Sequence, residues 1–489
     1  MHKTLLTGAL AAALVFPAPA LQAQNVSTYH NSLDRGGRYV VPGLTYERAR
    51  GLHLDASFQA SFQGSVYAQP LYWRPPGSAA GMLIVATEED SVYALDARSG
   101  ATIWRRSLGA PVARSDLPCG NVSPLGVTGT PVIDETSATL YLDAAILRPD
   151  GPRHEIFALS LADGSIRPGW PLDVAKALEG KFHPDLQNQR GALALFAGKV
   201  FVPFSGHWGD CGAFHGYVVG VSTGAPGRAA SFATRVQGGG IWGQGGLSSD
   251  GKSLFAATGN GYAAEWGDSE AVLRLGPGLE RPIEPRDYFA PSNWRELDDR
   301  DLDLGGTAPA PIDVPGANGG RKFILAIGKD GKAYLLDRDN LGGIGGALVV
   351  ANVATNVAVA SPAIWRSADG VFAALQGKGA HCPPDRPGQG LIVLKIRADP
   401  APAIETAWCA AVSGNGSPIV TTTDGRAEPI VFVLGAEGDN RLHAFRADTG
   451  EPLASPPEPM RGLRHFQTLI AAGGRLYVGA DGTVYAFAW

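Results

Sequence analysis

The chain has 489 residues, of which 45% are hydrophobic and 18% are charged, so it is long enough to bury a large core. Glycine (65) and proline (36) are abundant and no long stretch carries the 3.6-residue periodicity of helices, which favours short strands joined by turns. The net charge of −5 provides no basic stripe, so we expect no nucleic-acid partner.

The N-terminus predicts export. Lys3 precedes an apolar run over residues 5–16, and a segment of prolines and small residues follows over 17–23. We interpret residues 1–23 as a signal peptide cleaved after Ala20 or Ala23, rather than as a buried helix. The mature protein is then periplasmic or secreted, with residues 24–489 forming one domain. No later apolar stretch is long enough to span a membrane.

Four cysteines would meet an oxidising compartment, and they allow three pairings: Cys119, Cys211, Cys382 and Cys409. We expect two intramolecular bridges. Cys382 and Cys409 lie in one sequence repeat, which leaves Cys119 for Cys211.

A recurring phrase organises the chain: an apolar strand, a turn, a strand ending in aromatic-Ala-Leu-Asp, then Ser/Thr-Gly and a further strand. The clearest copy runs from Met82 to Trp104. Weaker copies begin near Thr139, Val200, Ser253, Phe323, Val371, Val431 and Leu476, making eight.

Copies spaced about 30 to 60 residues apart indicate a repeat architecture. Radial stacking of blades buries both faces of each sheet, and ring closure hides the sheet edges. The sequence therefore predicts an all-β, eight-bladed propeller of four-stranded antiparallel blades. Because the eighth copy ends at Trp489 after half a blade, a segment around residues 44–62 is expected to complete it and close the ring. Two stacked β-sandwiches would not explain the repeated turn.

The phrase Val92–Asp96 with Ser99, Gly100 and Trp104 resembles the tryptophan-docking repeat of the quinoprotein alcohol dehydrogenase-like superfamily. Residues 67–72 (YAQPLY), 127–134 (VTGTPVID), 187–190 (QNQR) and 301–305 (DLDLG) are also similar to exported pyrroloquinoline quinone (PQQ)-binding-like propellers, over nearly the whole chain. That superfamily contains PQQ dehydrogenases and inert assembly scaffolds, so this resemblance implies a fold and leaves the activity open.

The middle of the chain carries a more specific resemblance. Residues 238–243 (GGGIWG), 257–261 (ATGNG) and 267–269 (GDS) are similar to the glycine-tryptophan and Gly-Asn runs of methanol and ethanol dehydrogenases. The resemblance implies that Gly240 and Trp242 contact the quinone, with the indole as its floor, and that Asn260 binds both cofactor and metal ion. An indole face suits a flat ring system, and a hard cation takes amide oxygens.

Two further stretches extend this resemblance. Residues 300–303 (RDLD) fall where the dehydrogenases carry their base, which implies that Asp301 is a catalytic base and a metal ligand. Asp303 becomes an additional ligand that favours a lanthanide over Ca²⁺. Lys329, in a Gly-Lys-Asp-Gly turn, inherits the cation that contacts the quinone oxygens and stabilises developing negative charge.

This chain differs from the dehydrogenases at the disulfide that holds their quinone from above and at the metal site. The chain lacks their pair of adjacent cysteines, and Cys119 bridged to Cys211 is the expected replacement. Asp210 stands where those enzymes carry a metal-binding glutamate.

Three functions follow as alternatives. The first is a PQQ-dependent dehydrogenase that oxidises an alcohol or sugar hydroxyl, uses Ca²⁺ or a lanthanide, and passes electrons to a separate cytochrome c. The second is a non-catalytic propeller that binds an envelope protein or glycan. The third, a metal hydrolase built on His207, Asp210 and His215, has no sequence motif to support it.

Overall fold

A repeated turn connects the strands of each blade. The computed structural model describes residues 25–316, 319–367, 370–384 and 388–489 of the chain. In the first copy, Asp96 Oδ1 accepts hydrogen bonds from the backbone N–H groups of Arg98 (3.0 Å) and Ser99 (2.8 Å). Gly100 follows with φ of 81°, a left-handed conformation that glycine adopts without strain. This turn reverses the chain between the third and fourth strands of the blade.

Eight sheets result, numbered here as blades in the order of the sequence repeats. The strands of blades 1 and 2 are Leu71–Trp73, Met82–Thr87, Ser91–Asp96, Thr102–Ser107, and Val132–Asp134, Thr139–Arg148, Gly151–Ser160, Leu172–Asp173. Those of blades 3 and 4 are Gln187–Asn188, Ala194–Phe196, Lys199–Gly206, Tyr217–Ser222, Ala229–Ala233, and Ser248–Ser249, Leu254–Ala257, Val272–Leu275, Tyr288–Ala290, Gly343–Ile344.

Blades 5 and 6 comprise Ala310–Val314, Arg321–Ile327, Lys332–Asp337, Val349–Asn352, and Ala363–Ser367, Gly370–Lys378, Gln389–Arg397, Ala403–Ala411. Blades 7 and 8 comprise Arg38–Val40, Ile419–Thr422, Ile430–Leu434, Leu442–Arg446, Pro452–Ala454, and His53–Leu54, Leu469–Ala472, Arg475–Ala480, Thr483–Ala488. The α-helices are Tyr46–Ala49, Val174–Ala177 and Trp294–Arg300, and the 3-10 helices are Tyr29–Asn31, Arg114–Asp116, Pro285–Asp287 and Leu304–Gly306.

The predicted eight-bladed propeller and its closure are confirmed. His53–Leu54 pairs antiparallel with the C-terminal strand Thr483–Ala488, so the N-terminal segment completes blade 8. Two blades also gain a parallel strand that the repeat did not predict: Arg38–Val40 pairs with Ile419–Thr422 in blade 7, and Gly343–Ile344 pairs with Tyr288–Ala290 in blade 4. These additions lie outside the repeated phrase, which is why the repeat does not indicate them.

Tryptophans dock neighbouring blades. Trp104 Nε1 donates to the Leu161 carbonyl (3.0 Å), which links blade 1 to blade 2, and Trp408 Nε1 donates to the Ala447 carbonyl (2.9 Å), which links blade 6 to blade 7. A Cβ atom at Gly164 would lie 2.6 Å from Trp104 Cε3, so the docked indole requires glycine in the neighbouring turn. The hydrophobic core consequently lies between adjacent blades, as in the cluster that joins blades 1 and 2.

Residues 26–37, which we call the strap, cross the propeller axis. Arg35 is 1% exposed, and its guanidinium donates to the carbonyls of Leu247 (2.8 Å) and Leu193 (3.0 Å) in blades 4 and 3. On the other side, the strap carbonyls of Gly36 and Gly37 accept from Ile364 (2.7 Å) and Val420 (2.8 Å) of blades 6 and 7. The strap thus fills the centre of the ring.

The predicted signal peptide lies outside the described residues. No helix within the described part of the chain is long and apolar enough to cross a bilayer.

Candidate active site

A cavity of about 940 Å³ lies at one end of the propeller axis, where connections between successive blades meet. Its wall contains every residue that the sequence singled out for the site: Asp210, Gly240, Trp242, Asn260, Asp301, Asp303 and Lys329. Gly240, Trp242, Asp301 and Asp303 come several residues before the innermost strand of their blade, whereas the strap contacts residues next to or within innermost strands, such as Leu247, Ile364 and Val420. The strap therefore lies beneath the cavity and closes the axis below it.

One carboxylate fixes the indole and the ammonium on the same wall. Asp303 is 2% exposed, and its Oδ2 accepts from Trp242 Nε1 (3.1 Å) and lies 2.5 Å from Lys329 Nζ. Its Oδ1 accepts from the backbone N–H of Asn260 (2.7 Å). Lys329 Nζ also lies 5.1 Å from the centroid of the Trp242 ring, a cation–π distance. Asp303 therefore orients both groups predicted to contact a quinone.

Burial and charge oppose each other in this cluster. Burial raises the pKa of Asp303, although the Lys329 ammonium favours the ionised carboxylate. For Lys329, burial lowers the pKa, but the Asp303 and Asp301 carboxylates outweigh it and raise the pKa above its ordinary value. Lys329 consequently stays positively charged at neutral pH.

Asp301 is the accessible carboxylate of the cluster. The helix Trp294–Arg300 ends at this residue, which adopts a left-handed conformation with φ of 51°. Its side chain is 65% exposed, and Oδ1 lies 2.8 Å from Lys329 Nζ. Asp301 can therefore reach a ligand in the cavity, whereas both oxygens of Asp303 already accept hydrogen bonds.

Asp210, Tyr262 and Asn260 form a second polar group on the wall. Asn260 Nδ2 donates to Tyr262 Oη (3.1 Å). Burial raises the pKa of Asp210, and hydrogen bonds from Tyr262 and Asn260 oppose the shift. Asp210 sits in the loop that follows the strand Lys199–Gly206 of blade 3, with φ of 49°.

The donor set suits a hard cation in part. The carboxylates of Asp210 and Asp301 and the amide oxygen of Asn260 are oxygen ligands of the kind that Ca²⁺ and lanthanides take. In the described ranges no group of three or more His, Cys, Asp or Glu residues is arranged to hold a metal ion. A cation here would need further oxygens from a bound ligand, and Asp303 is poorly placed to add one.

The predicted disulfides are both present. Cys119 bridges Cys211 and Cys382 bridges Cys409, with Cα–Cα distances of 6.0 and 5.7 Å. The first bridge ties the connection between blades 1 and 2 to the loop that carries Trp208, Gly209 and Asp210, all of which line the cavity. It therefore braces one side of the cavity mouth.

The propeller and its axial cavity have counterparts among known proteins. A family model for the outer membrane protein assembly factor BamB matches residues 56–166, which contain blade 1 and most of blade 2. The quinohemoprotein alcohol dehydrogenase from Comamonas testosteroni superposes with a TM-score of 0.67 at 18% identity, covering 95% of this chain and 80% of that chain. A europium-containing methanol dehydrogenase superposes with a TM-score of 0.64 at 13% identity, covering 95% and 98%. The chain shares the eight-bladed β-propeller fold of these dehydrogenases.

At identities this low, the likeness establishes the propeller fold and leaves the activity of this chain open. A search of curated proteins finds no significant match to this chain.

Glu270 and Asp298 hold backbone groups next to the cluster through hydrogen bonds. The sequence does not predict these roles. Glu270 is fully buried, its Oε2 accepts from the backbone N–H of Leu304 (2.5 Å), and its pKa is raised well above the ordinary range by burial and by Asp303. Asp298 accepts from the Gly261 N–H (2.8 Å) and Ser269 Oγ (3.1 Å), and burial raises its pKa to about 6. Nothing local in the sequence distinguishes these acids from solvated ones.

The histidine-based metal site proposed for a hydrolase does not form within the described residues. His207 pairs with the Asp185 carbonyl (3.2 Å), and His215 pairs with the Thr234 carbonyl (3.0 Å). Each imidazole ring is thus held separately by a backbone carbonyl, and the predicted metal site of His207, Asp210 and His215 is not formed by the described residues.

Proposed function

We propose that this PQQ-like propeller is a periplasmic PQQ-dependent dehydrogenase that oxidises an alcohol or sugar hydroxyl. The observation that carries the proposal is the Asp303 carboxylate, which orients the Trp242 indole and the Lys329 ammonium on one wall of the axial cavity. A flat redox cofactor needs both a stacking surface and a cation beside its carbonyl oxygens.

Each residue has a defined task in this proposal. The quinone, when bound, supplies the hydride-accepting chemistry. Trp242 provides its floor and Lys329 stabilises negative charge that develops on its oxygens. Asp210, Asn260 and Asp301 would supply oxygen ligands to a Ca²⁺ or lanthanide ion. Asp301 takes the hydroxyl proton of the substrate as general base, because its carboxylate is accessible from the cavity.

Asp303 receives a revised role. The resemblance implies a metal ligand at this position, but both oxygens accept hydrogen bonds from Trp242, Lys329 and Asn260. We assign it as a positioning residue for the indole and the ammonium. A separate cytochrome c would accept the electrons from the oxidised hydroxyl.

The precursor would be cleaved after Ala20 or Ala23 during export.

The experiment titrates the purified protein with PQQ in the presence of Ca²⁺ or La³⁺, following the quinone absorbance, and then measures dye reduction with alcohols and sugars. We expect saturable binding that Trp242→Ala removes. Trp104→Ala, which also deletes an indole but at the interface between blades, is the matched control and should leave binding intact. An unchanged spectrum and no dye reduction with any substrate would reject the proposal.

A non-catalytic scaffold is the second candidate, and the match of residues 56–166 to the BamB family model favours it. In this case the surface of the propeller binds an envelope protein or glycan. Cross-linking in envelope extract distinguishes the two functions: a specific partner retained by a Trp242→Ala, Lys329→Met variant, with no PQQ binding by the wild type, supports the scaffold.

A further inference from the structure

Arg190 is a partly buried cation on the cavity wall without a charged partner. Within the described residues, its guanidinium forms neither a hydrogen bond nor an ion pair, although it lines the cavity. Arg35, by contrast, donates to four oxygen atoms. Removing a cation from water without a compensating anion is costly, so a folded protein seldom keeps such a group unless a ligand completes it.

The other charged groups nearby do not neutralise Arg190. Burial lowers its pKa, and Tyr67 and Glu88 act in the opposite direction only from a distance. Glu88 is itself buried, which raises its pKa to about 7, and its Oε2 is engaged by the Gly126 N–H (2.7 Å). Lys329, two blades away, is already balanced by Asp301 and Asp303. Arg190 is thus the uncompensated positive charge of this wall.

Two uncharged hydrogen-bonding side chains lie beside it. Asn188 and Ser205 are register partners on neighbouring strands of blade 3, and Arg190 follows Asn188 by two residues in the same extended segment. Both side chains line the cavity, and neither forms a side-chain hydrogen bond with another described residue. The buried Oδ1 of the Asn188 amide has no hydrogen-bond partner, its N–H groups donate to no described residue, and those N–H groups are the ones that can donate to an anion.

We propose that Arg190, Asn188 and Ser205 form a carboxylate-binding subsite of the axial cavity. The planar guanidinium fork matches a carboxylate in two parallel hydrogen bonds, and the amide and hydroxyl add neutral donors. A singly charged carboxylate fits better than a phosphate dianion, because Asp210, Asp301 and Asp303 already make the rest of the wall acidic. The subsite rests on the proposed function only for the source of the carboxylate, which is the quinone cofactor or an acidic substrate.

Binding measurements by calorimetry test this subsite without relying on turnover. The variants are Arg190→Gln, Arg190→Lys and, as matched control, Arg426→Gln, which removes an exposed arginine outside this cavity. The probes are PQQ, its trimethyl ester, and benzene-1,3,5-tricarboxylate; glycerate and glycerol are then added to the PQQ-loaded protein.

We expect the wild type to prefer PQQ over its ester, and Arg190→Gln to weaken PQQ binding about 10- to 100-fold while abolishing that preference. Arg190→Lys should retain part of the preference for PQQ over its ester, and Arg426→Gln should retain all of that preference. If the carboxylate belongs to the substrate instead, PQQ affinity stays unchanged and Arg190→Gln removes a preference for glycerate over glycerol. Equal binding of every probe by wild type and Arg190→Gln would overturn the subsite.

Two further results separate this inference from the proposed function. Tricarboxylate binding that depends on Arg190, in a protein that does not bind PQQ, would support the subsite and reject the dehydrogenase. Ligand-free Arg190→Gln should melt at a higher temperature than the wild type, because it lacks an uncompensated charge. A lower melting temperature would assign Arg190 a structural role and contradict the proposal.

Discussion

Asp301 and Asp303 are separated by one residue but differ in exposure and in hydrogen bonding. Asp303 is enclosed and accepts three protein donors, whereas Asp301 ends a helix and projects into the cavity beside Lys329. Of two carboxylates in different environments, one can hold neighbouring groups in place by its fixed charge while the other accepts a proton. The proposed dehydrogenase depends on these different tasks of Asp301 and Asp303.

Asp301→Asn should lower kcat by about 100-fold or more, because the amide cannot accept the hydroxyl proton. The PQQ dissociation constant should change much less than kcat, since the quinone floor and the Lys329–Asp303 pair are intact. Dye-reduction kinetics and PQQ titration on the same preparation measure both quantities. Asp299→Asn, at an exposed position of the preceding helix, should leave kcat unchanged; equal losses in the two variants would contradict the assignment.

Asp90 makes stability depend on pH. This residue is fully buried with both carboxylate oxygens unpaired, and burial raises its pKa to about 9. The native state then holds a proton that the unfolded chain releases near pH 4, so the stability linked to Asp90 is present at low pH and lost as pH rises toward 9.

Asp90→Asn should flatten this part of the profile. The difference in free energy of unfolding, variant minus wild type, should increase progressively from pH 5 to pH 9. Urea denaturation at each pH measures this difference. Asp116→Asn, an exposed control, should follow the wild-type curve. A wild-type stability that rises over the same range in parallel with Asp90→Asn would refute the prediction.

The two disulfides constrain different parts of the propeller. Cys119–Cys211 spans 92 residues and braces the loop that carries Asp210, whereas Cys382–Cys409 spans 27 residues within blade 6. Removing either bridge should lower the free energy of unfolding by about 2 to 5 kcal/mol.

Only the first bridge should affect ligand binding. We expect Cys119→Ser with Cys211→Ser to weaken PQQ binding several-fold in a folded protein, and Cys382→Ser with Cys409→Ser to leave it unchanged. Chemical denaturation and PQQ titration report the two effects separately. The idea fails if both pairs of substitutions leave PQQ affinity at the wild-type value.

The strap depends on Arg35. Its side chain joins backbone carbonyls of blades 3 and 4 to Thr28 and Tyr29 within the strap. Arg35→Ala leaves buried acceptors unpaired and should cost roughly 3 kcal/mol or more in unfolding free energy. Arg50→Ala, which removes an exposed pair with Glu451, should cost about 1 kcal/mol or less. Comparable values in urea titrations would mean that the strap does not hold the ring.

For the whole molecule, the sequence predicts the blades but not what fills their centre. The Asp96–Gly100 turn and the docking of Trp104 are local and repeated, so the pattern of residues alone indicates them. The strap carries no repeat pattern, and its burial exists only once eight blades surround it. For the same reason the sequence does not mark Arg190 as unpaired, because an unpaired charge is defined by neighbours that are distant in the chain.

The candidate site also combines features that local motifs predict with features that form only through tertiary packing. Short motifs mark Trp242 and Asp301, and the fold brings both to one cavity. Glu270 lies behind Asp303 through tertiary packing alone, and no spacing in the sequence encodes that contact. The catalytic and binding roles assigned to Trp242 and Asp301 remain predictions.

Because the strap crosses the axis beneath the cavity, we expect ligands to enter and leave through the opening at its other end. Alcohol, oxidised product and electron acceptor would have to use that opening in turn, since a protein docked over it excludes small molecules. We therefore expect ping-pong kinetics, with parallel lines in double-reciprocal plots when substrate and cytochrome c are varied together. Intersecting lines would mean that the two partners approach from different sides.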